Sequence, residues 1–495
     1  MSQSPTISSD GWQLPTVIDG TLARHSSQSL AGGIERYVQI LSQQDCSPST
    51  LIVPDFPRGV ELVALLVAGL RLGLPVLPVD FLWGEAKRQS LRALPEQLLI
   101  CTLGGSASLG LEADVVLPPL GCTQEVPGWS SLAVPPESGT AIVLPTSGST
   151  GEPKFVMIPK GALLKHVDWI KNQFSVTNED CILAEASPAF DAGIWEILLA
   201  CRSGATLCVP DEYTVKDGIE LLEYAKQTRV SIVHFTPTML DHCASLSAQA
   251  ILTVRLVVLG GERLNVRTVV RARALFPNAK VVNVYGPSET IIHATSFDAT
   301  LWMDSFSGDE VPNDGVPIGE VIVGREVRLA PHTAIPGCVP ASTGNQGRAI
   351  IGGVDGIATG YLGMPGLTAR AFRPVASGRR EFYTQDLLVS DGSVLKFVSR
   401  LDDARKVLGH LVSPSAIARA LESAVGVRAA VVAFVSSDEH TLVSEVQLEP
   451  ESLQTAEGLR SYLLMSFPAV AVPQQIRITE TFAMSDNGKS YPKHL

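Results

Sequence analysis

The chain has 495 residues, 45% of them hydrophobic, and a formal net charge of −12 at pH 7. This size and composition predict a soluble globular protein with more than one domain. The acidic balance argues against nucleic-acid and anionic-membrane partners, and eight cysteines without a CxxC pair predict reduced thiols in a cytoplasmic protein.

The N-terminal third of the chain alternates helix-like and strand-like segments. Residues 1–30 are rich in Ser, Thr and Gln, which predicts a loosely held lead-in. The apolar window 60–77 contains Glu61, Arg71 and glycines, so it predicts a buried helix and a strand rather than a membrane span. Repeated strand–helix alternation predicts a parallel α/β sheet. The predicted elements are helices at 30–43 and 60–70 and strands at 50–54, 75–80, 98–102 and 141–144.

Polar residues follow the later strands at the point where each strand ends. Three of these strands are predicted at 230–235, 256–259 and 280–285. Ligands of open α/β sheets bind at the carboxyl ends of the strands, so a site is expected at this edge. The remaining predicted elements are helices at 161–174 and 194–201, a strand at 180–185, short strands from 315 to 398 and a small α+β region after them.

Residues 146–154, which read TSGSTGEPK, directly follow the apolar run 141–144. Two glycines let the backbone approach an anion, and the hydroxyls, turn N–H groups and Lys154 supply hydrogen bonds to a phosphate. Two residues separate Gly151 from Lys154, so this loop is not a P-loop. By itself the loop is equally compatible with a surface turn.

Further segments decide between these interpretations, because they occur in the order found in the adenylate-forming enzymes. That superfamily comprises acyl-CoA ligases, luciferases and the adenylation domains of nonribosomal peptide synthetases, and residues 146–154 resemble its phosphate loop. The other matching segments are FDAGIWE at 190–196, NVYGPSET at 283–290, GYL at 360–362, YTQDL at 383–387, SRLD at 399–402 and NGK at 487–489. The chain is identified as a member of this superfamily that most resembles a stand-alone peptide-synthetase adenylation domain.

The resemblance implies an α/β fold with two domains. Residues 1–400 would form a large core of α/β sheets with a small β-rich subdomain, which binds ATP and substrate. Residues 401–495 would form a small mobile α+β lid, with a hinge near Asp402. Since no carrier or condensation domain is recognised beside it, a stand-alone activating unit is expected.

The implied activity is ATP- and Mg²⁺-dependent conversion of an amino acid to an aminoacyl-AMP, with release of pyrophosphate. Transfer to the phosphopantetheine thiol of a separate carrier protein would follow, in natural-product biosynthesis. The resemblance leaves open whether a small activator protein is needed.

The catalytic residues implied by the resemblance are Lys489, Lys154 and Glu289, and Glu289 would help to hold Mg²⁺. Tyr285 would stack on adenine, while Asp386 would accept hydrogen bonds from both ribose hydroxyls. The implied ATP-binding residues are Thr146, Ser147, Gly148, Ser149, Thr150, Gly151, Asn283, Tyr285, Gly286, Asp386 and Arg400.

Asp191 matches the aspartate that holds the substrate α-ammonium in peptide-synthetase adenylation domains. An amino-acid substrate would supply the cation that a buried carboxylate needs. The alternative is that Asp191 is the N-cap of the following helix. Two imidazoles beside aliphatic residues favour a threonine- or serine-like side chain first and a leucine-like one second. The substrate pocket implied by the resemblance comprises Asp191, Ala192, Trp195, His234, Val258, Gly260, Val284, Ile292 and His293.

Several positions depart from the peptide-synthetase pattern. Phe155 and Gln385 stand where the family usually has glycine, and the segment after Asp402 is more similar to acyl- or aryl-CoA ligases. A CoA ligase is therefore an alternative, and a degenerate nucleotide- or carrier-binding protein is a third interpretation. Asp191 argues against the CoA ligase, and the matched lysines and acids argue against the degenerate protein.

Overall fold

A computed structural model gives the fold of the chain. It describes residues 12–80, 83, 85–104, 109, 112–121, 139–146, 153–247, 249–306, 315–331, 345–354, 356–375, 378–392, 394–402, 405–407, 410–435, 438–480, 482–484 and 490–491.

The strands are numbered in chain order. They are β1 (Val17–Ile18), β2 (Arg24–His25), β3 (Leu51–Asp55), β4 (Leu98–Leu103), β5 (Val115–Leu117), β6 (Thr140–Thr146), β7 (Lys154–Pro159), β8 (Cys181–Leu183), β9 (Thr206–Cys208), β10 (Ile232–Phe235), β11 (Leu256–Leu259), β12 (Lys280–Tyr285), β13 (Thr295–Asp298), β14 (Glu320–Val321), β15 (Glu326–Ala330), β16 (Asn345–Gly352), β17 (Gly360–Tyr361), β18 (Phe372–Pro374), β19 (Arg380–Ser390), β20 (Leu395–Arg400), β21 (Arg405–Val407), β22 (His410–Val412), β23 (Val427–Val435), β24 (Asp438–Leu448), β25 (Gln475–Ile478), β26 (Ala483–Met484) and β27 (Ser490–Tyr491).

The α-helices are numbered in the same way. They are α1 (Ser27–Ser42), α2 (Val60–Leu72), α3 (Glu85–Arg92), α4 (Lys160–Gln173), α5 (Asp191–Ser203), α6 (Gly218–Gln227), α7 (Pro237–Leu246), α8 (Val266–Leu275), α9 (Ala299–Asp304), α10 (Pro365–Ala371), α11 (Pro414–Ser423) and α12 (Ala456–Leu464).

The largest sheet carries the predicted site strands side by side. Its order is β14-β13-β12-β11-β10-β8-β9-β1-β2. Strands β1, β9, β8, β10, β11 and β12 run parallel, so their carboxyl ends share one edge. The predicted strands at 256–259 and 280–285 have the same bounds as β11 and β12, and the predicted α/β fold is confirmed.

A second layer is formed by β3, β4 and β5, which run parallel, and by β6, β7 and β17, which run antiparallel. The predicted strand at 75–80 forms only a bridge at Val76, which pairs with Ile52 and Ile142. Pro75 and Pro78 lack the N–H that a strand ladder needs, which explains the short pairing.

The predicted loose lead-in over residues 1–30 is wrong for its described part. Trp12 is 1% exposed, and Val17 in β1 is fully buried where it pairs with Leu207 of β9. Ser26 caps α1, since its side chain accepts a hydrogen bond from the Ser29 N–H. The strand β1 is only two residues long, which is too short to produce a recognisable apolar pattern in a polar segment.

The later part of the chain builds smaller sheets. Strands β15, β16, β18, β19 and β20 form an antiparallel sheet, as the short strands after residue 315 predicted. Strands β23, β24 and β25 form a separate sheet whose core is shared with α11 and α12. Arg267 in α8 forms an ion pair of 2.9 Å with Glu449, which follows β24. Among the described residues, no helix combines the length and apolarity required to cross a membrane.

Helix α2 lies in the main core of the protein. Ten of its residues are buried, from Val60 to Leu70, and Gly73 ends the helix in the left-handed region at a φ of 68°. A helix that is apolar on all sides must be covered on all sides, so its side chains fix the packing of the layers around it.

We expect Leu65→Ala to lower the free energy of unfolding by about 2–5 kcal/mol, because it opens a cavity at a fully buried position. Urea denaturation followed by fluorescence would measure the change. Val270→Ala on α8, where the side chain is 52% exposed, is the matched control and should change stability by less than about 0.5 kcal/mol. Equal effects of the two substitutions would contradict the packing described for α2.

Candidate active site

A cavity of about 1230 Å³ opens at the shared carboxyl edge of β10, β11 and β12 and extends to β19 and β20. Ligands of parallel sheets bind at this edge, and most of the predicted site residues reach it. Those that line the cavity are Thr146, Lys154, Asp191, Ala192, Trp195, His234, Gly260, Val284, Tyr285, Gly286, Glu289, Ile292, His293, Asp386, Arg400 and Asp402.

Two predicted site residues lie behind the cavity wall. The Asn283 side chain donates a hydrogen bond of 2.8 Å to the carbonyl oxygen of Pro317. Val258 is buried in the hydrophobic core and pairs with His234 across β10 and β11. The predicted residues Ser147, Gly148, Ser149, Thr150, Gly151 and Lys489 lie outside the described residues.

Tyr285, Asp386 and Arg400 form a connected polar group on one side of the cavity. The Tyr285 hydroxyl donates to Asp386 Oδ2 at 2.6 Å, and Arg400 Nη1 lies 3.4 Å from Asp386 Oδ1. Arg400 also binds Asp402 through two hydrogen bonds of 2.8 Å. The hydrogen bonds to Asp402 raise the pKa of Arg400, and burial raises the pKa of Tyr285. This group therefore presents one carboxylate held between a hydroxyl and a guanidinium.

Glu289 and Lys154 lie close to the same tyrosine. The Tyr361 hydroxyl donates to Glu289 Oε1 at 2.8 Å, and Lys154 Nζ lies 5.6 Å from the centre of the Tyr361 ring. Burial raises the pKa of Glu289, while the Tyr361 hydrogen bond and Lys154 act in the opposite direction. A carboxylate and an ammonium thus face the cavity together.

Asp191 is the first residue of α5 and faces the segment that follows β12. Its Oδ2 accepts a hydrogen bond of 2.7 Å from the Ser288 hydroxyl. The N-cap of the helix is Phe190, so the interpretation of Asp191 as a helix cap is wrong. Helix α5 begins three residues before the predicted start at 194, which places Asp191 on a rigid element.

Aromatic rings and imidazoles form the floor of the pocket. The Trp195 ring lies 5.6 Å from that of His234 and 6.0 Å from that of His293. A hydrogen bond of 3.3 Å joins His293 Nδ1 to His166 Nε2. Burial lowers the pKa of His234 to about 4 and that of His293 to about 3, so both imidazoles are neutral at neutral pH.

Comparison with known proteins shows the family. The family described as "AMP-binding enzyme" matches residues 15–362, which is most of the chain. The chain belongs to the AMP-binding enzymes.

Relatives of this AMP-binding enzyme include longer synthases and synthetases. Tyrocidine synthase 1 of Brevibacillus parabrevis is 26% identical over 492 residues, which are 95% of this chain and 42% of that protein. Phosphinothricin tripeptide synthetase PhsC of Streptomyces viridochromogenes is 34% identical over 360 residues, which are 70% of this chain and 31% of that protein. The chain thus spans less than half of either relative.

Solved structures confirm the fold of the AMP-binding enzyme. The structure of Klebsiella oxytoca NpsA in complex with 3-hydroxyanthranilyl-AMSN matches with a TM-score of 0.78 and 20% identity, covering 96% of this chain and 94% of that one. The structure of O-succinylbenzoate coenzyme A synthetase (MenE) from Bacillus subtilis in complex with AMP matches with a TM-score of 0.75 and 15% identity, covering 97% and 95%. These structures confirm the predicted α/β fold, and the family match over residues 15–362 confirms the predicted superfamily.

Three charged residues at the cavity of the AMP-binding enzyme were not predicted from the sequence. Arg58 and Glu185 line the cavity, and the fully buried Glu196 lies directly after Trp195 in α5. Burial raises the pKa of Glu185 to about 7 and also raises that of Glu196, while Arg58 opposes both shifts. Two features of the sequence indicate these acids. Glu185 follows a buried strand, and Glu196 is the one acid inside an otherwise apolar stretch of helix.

We expect Tyr361→Phe to lower the free energy of unfolding by about 1–3 kcal/mol, because the Glu289 carboxylate would lose its hydroxyl donor. Urea denaturation at neutral pH would measure the change. Tyr213→Phe is the matched control, since that ring is 77% exposed. A Tyr361→Phe protein as stable as the control would show that the hydrogen bond contributes nothing.

A pH dependence of stability follows from Glu185. Its pKa is raised from 4.5 to about 7 in the folded protein, so the folded state binds more protons than the unfolded state between these values. The stability of the protein should therefore fall as pH rises through this window. We expect Glu185→Gln to remove this loss, so that the variant gains about 1–3 kcal/mol relative to the unchanged protein between about pH 5 and about pH 8.

Urea midpoints at both pH values would measure this gain. Glu223→Gln on α6 replaces an acid whose side chain is 51% exposed, and it should show no such trend. A constant difference between Glu185→Gln and the unchanged protein would contradict the raised pKa of Glu185.

Proposed function

We propose that this AMP-binding enzyme activates an amino acid with ATP and passes it to the phosphopantetheine thiol of a carrier protein. In the first step a carboxylate oxygen of the amino acid attacks the α-phosphorus of ATP. The bond between that phosphorus and the bridging oxygen to the β-phosphate breaks, and pyrophosphate leaves. In the second step the thiolate attacks the carbonyl carbon of the aminoacyl-AMP, which gives a thioester and AMP.

The observation that carries this proposal is the hydrogen bond between Asp191 and Ser288. Ser288 directly precedes Glu289 and follows Tyr285 by three residues, so the Asp191 carboxylate is bound to the segment that carries two residues predicted to act on the nucleotide. An α-ammonium bound at Asp191 would place the neighbouring substrate carboxylate beside that segment. Positioning of this kind, with the charges neutralised, is the main source of catalysis when two anions must react.

The nucleotide is assigned to Tyr285, Asp386 and Lys154. Asp386 has two carboxylate oxygens for two ribose hydroxyls, and the Tyr285 ring offers a face for adenine. Lys154 would neutralise phosphate charge. Predicted residues Ser147, Ser149 and Thr150 would complete the phosphate loop, and Lys489 would stabilise charge during formation of the adenylate.

Glu289 fits the expected Mg²⁺. It offers a carboxylate in the cavity near Lys154, and one of its oxygens is oriented by Tyr361. Mg²⁺ is commonly held by one or two carboxylates together with substrate phosphates, and it would neutralise the charge of those phosphates.

The proposed domain organisation keeps residues 1–400 as the core, 401–495 as the lid and Asp402 as the hinge. Arg400 joins Asp386 in the core to Asp402 at the proposed hinge, which supports a link between nucleotide binding and lid position. The carrier protein as acceptor is supported by the relatives, which include a tripeptide synthetase. A cytoplasmic location and a role in natural-product biosynthesis are part of the same proposal.

The side chain of the substrate is assigned to the pocket floor at Trp195, His234 and His293. The neutral imidazoles and the acids beside them favour a polar side chain, such as that of serine or threonine, over an aliphatic one.

We expect ATP–pyrophosphate exchange to be stimulated by one or a few α-amino acids. In Lys489→Ala the exchange should fall by at least about 100-fold, because charge stabilisation in the transition state is lost, while ATP binding measured by calorimetry persists. Lys226→Ala is the control, since this lysine lies on the surface with its side chain 43% exposed.

Stimulation only by acids that lack an α-amine would overturn the role of Asp191 and favour a CoA ligase. Thioester formation with free CoA instead of a carrier protein would overturn the proposed acceptor. ATP binding without exchange on any acid would favour the nucleotide-binding protein without turnover.

A further inference from the structure

Three side chains outside the sequence-predicted nucleotide site converge in the wall of the cavity. They are Glu185 after β8, Glu196 in α5 and His234 in β10. One acceptor atom from each lies within 4.8 Å of the corresponding atoms of the other two. Glu185 and His234 line the cavity, and Glu196 is fully buried behind them. We refer to these three side chains as the acid cage.

Two atoms of the acid cage are buried without a hydrogen bond. Glu196 Oε1 and His234 Nδ1 have no hydrogen-bond partner within the described part of the chain, although Glu196 is 0% and His234 7% exposed. These two atoms lie 3.7 Å apart, which is too long for a hydrogen bond between them. A buried polar atom without a partner destabilises the folded protein, so the arrangement indicates a ligand that supplies donors.

The charges around the acid cage favour a cationic ligand. The positive charge of Arg58 lowers the pKa of both acids, against the larger effect of burial. Its guanidinium donates hydrogen bonds to the backbone carbonyl oxygens of Ala184, Glu185 and Ala186 at 3.0, 2.9 and 3.4 Å. Two carboxylates against one guanidinium leave a negative charge to be neutralised. In the absence of a cation, burial favours the protonated form of both acids.

We propose that the acid cage binds a second ammonium group, at the end of the substrate side chain, so that the activated amino acid is a diamino acid. This inference rests on the proposed function and narrows the polar side chain assigned there to a basic one. A neutral His234 with its proton on Nε2 offers Nδ1 as an acceptor beside two carboxylate oxygens.

The size of the acid cage fits an ammonium group. Three atoms within 4.8 Å of one another have a common point no more than about 2.8 Å from each, which is the length of a charge-assisted N–H···O hydrogen bond. An ammonium group has three donors around one nitrogen, and three acceptors surround that point. A guanidinium spreads its five donors over a wide plane and does not match a cage centred on one point.

The position of the acid cage fits a substrate anchored at Asp191. Asp191 and Glu196 belong to the same helix, and their spacing of five residues corresponds to about 7.5 Å along the axis and about 140° around it. Trp195, one turn after Asp191, lines the cavity together with Glu185 and His234, the two members of the acid cage that reach the cavity. An aliphatic stem of a few carbons would pass along this ring and join the two ammonium groups.

The test is ATP–pyrophosphate exchange with diaminopropionate, diaminobutyrate, ornithine and lysine. Each is compared with the neutral amino acid of equal length, namely aminobutyrate, norvaline, norleucine and aminoheptanoate, and with serine and homoserine. We expect one diamino acid to exceed its neutral counterpart in kcat/KM by about 10-fold to 100-fold, because only the cation forms charge-assisted bonds to the cage.

The variant Glu185→Gln keeps the shape of the side chain and removes its charge. It should lower kcat/KM for the diamino acid about 10-fold more than kcat/KM for the neutral counterpart, so that the preference for the diamino acid is largely lost. Glu212→Gln is the matched control, since Glu212 lines the same cavity but lies outside the cage, where it accepts a hydrogen bond from the backbone N–H of Arg58. The control should keep the preference between the two substrates.

Each outcome separates this inference from the proposed function. Exchange with serine, homoserine or a neutral amino acid above every diamino acid overturns the inference and leaves the proposed function standing. Tight binding of one Zn²⁺ that is lost in Glu185→Gln also overturns it, because the cage would then be a metal site. If no acid supports exchange, the change in melting temperature on adding the diamino acids decides. A rise in melting temperature that is lost in Glu185→Gln supports the cage, while the proposed function fails. No rise with any diamino acid overturns both.

Discussion

The shared carboxyl edge of the parallel strands is the constraint on which the site depends. Because β10, β11 and β12 run in the same direction and in register, His234, Gly260 and Tyr285 reach one side of the sheet. Residues as far apart in the chain as His234 and Tyr285 thus lie at the same edge of the sheet. Helix α5 then presents Asp191 and Trp195 to the same edge. Ligands of open parallel sheets bind at such an edge for this geometric reason.

Acidic side chains also line the cavity. Glu289, Asp386 and Glu185 all line it, in a chain whose net charge is already −12. Asp386 is bound by a tyrosine hydroxyl and by Arg400, and Glu289 is bound by a tyrosine hydroxyl. Burial raises the pKa of Glu289 and of Glu185, so cations brought by ligands should bind well beside these two acids. The proposed substrate ammonium and Mg²⁺ are cations of this kind.

The family and the finer function rest on different observations. The match over residues 15–362 and the solved structures show an AMP-binding enzyme and its fold. Relatives in this family include synthetases of which the chain spans only a part, so the acid is proposed from the site itself and the thiol from the relatives. The contact of Asp191 with Ser288 favours an amino acid, because it places a carboxylate beside the segment proposed to bind the nucleotide.

The sequence by itself determined the elements and motifs that depend on local pattern. The bounds of β11 and β12 and the helix over 60–70 required only residue spacing, since periodicity and turn chemistry are local. The family segments required only resemblance to known motifs. The tertiary structure decided what depends on distant neighbours. It buried Trp12 and Val17, reduced the strand at 75–80 to a bridge at Val76, and brought Glu185 and Glu196 to His234. Burial and charge compensation are set by residues far apart in the chain, and no local pattern encodes them.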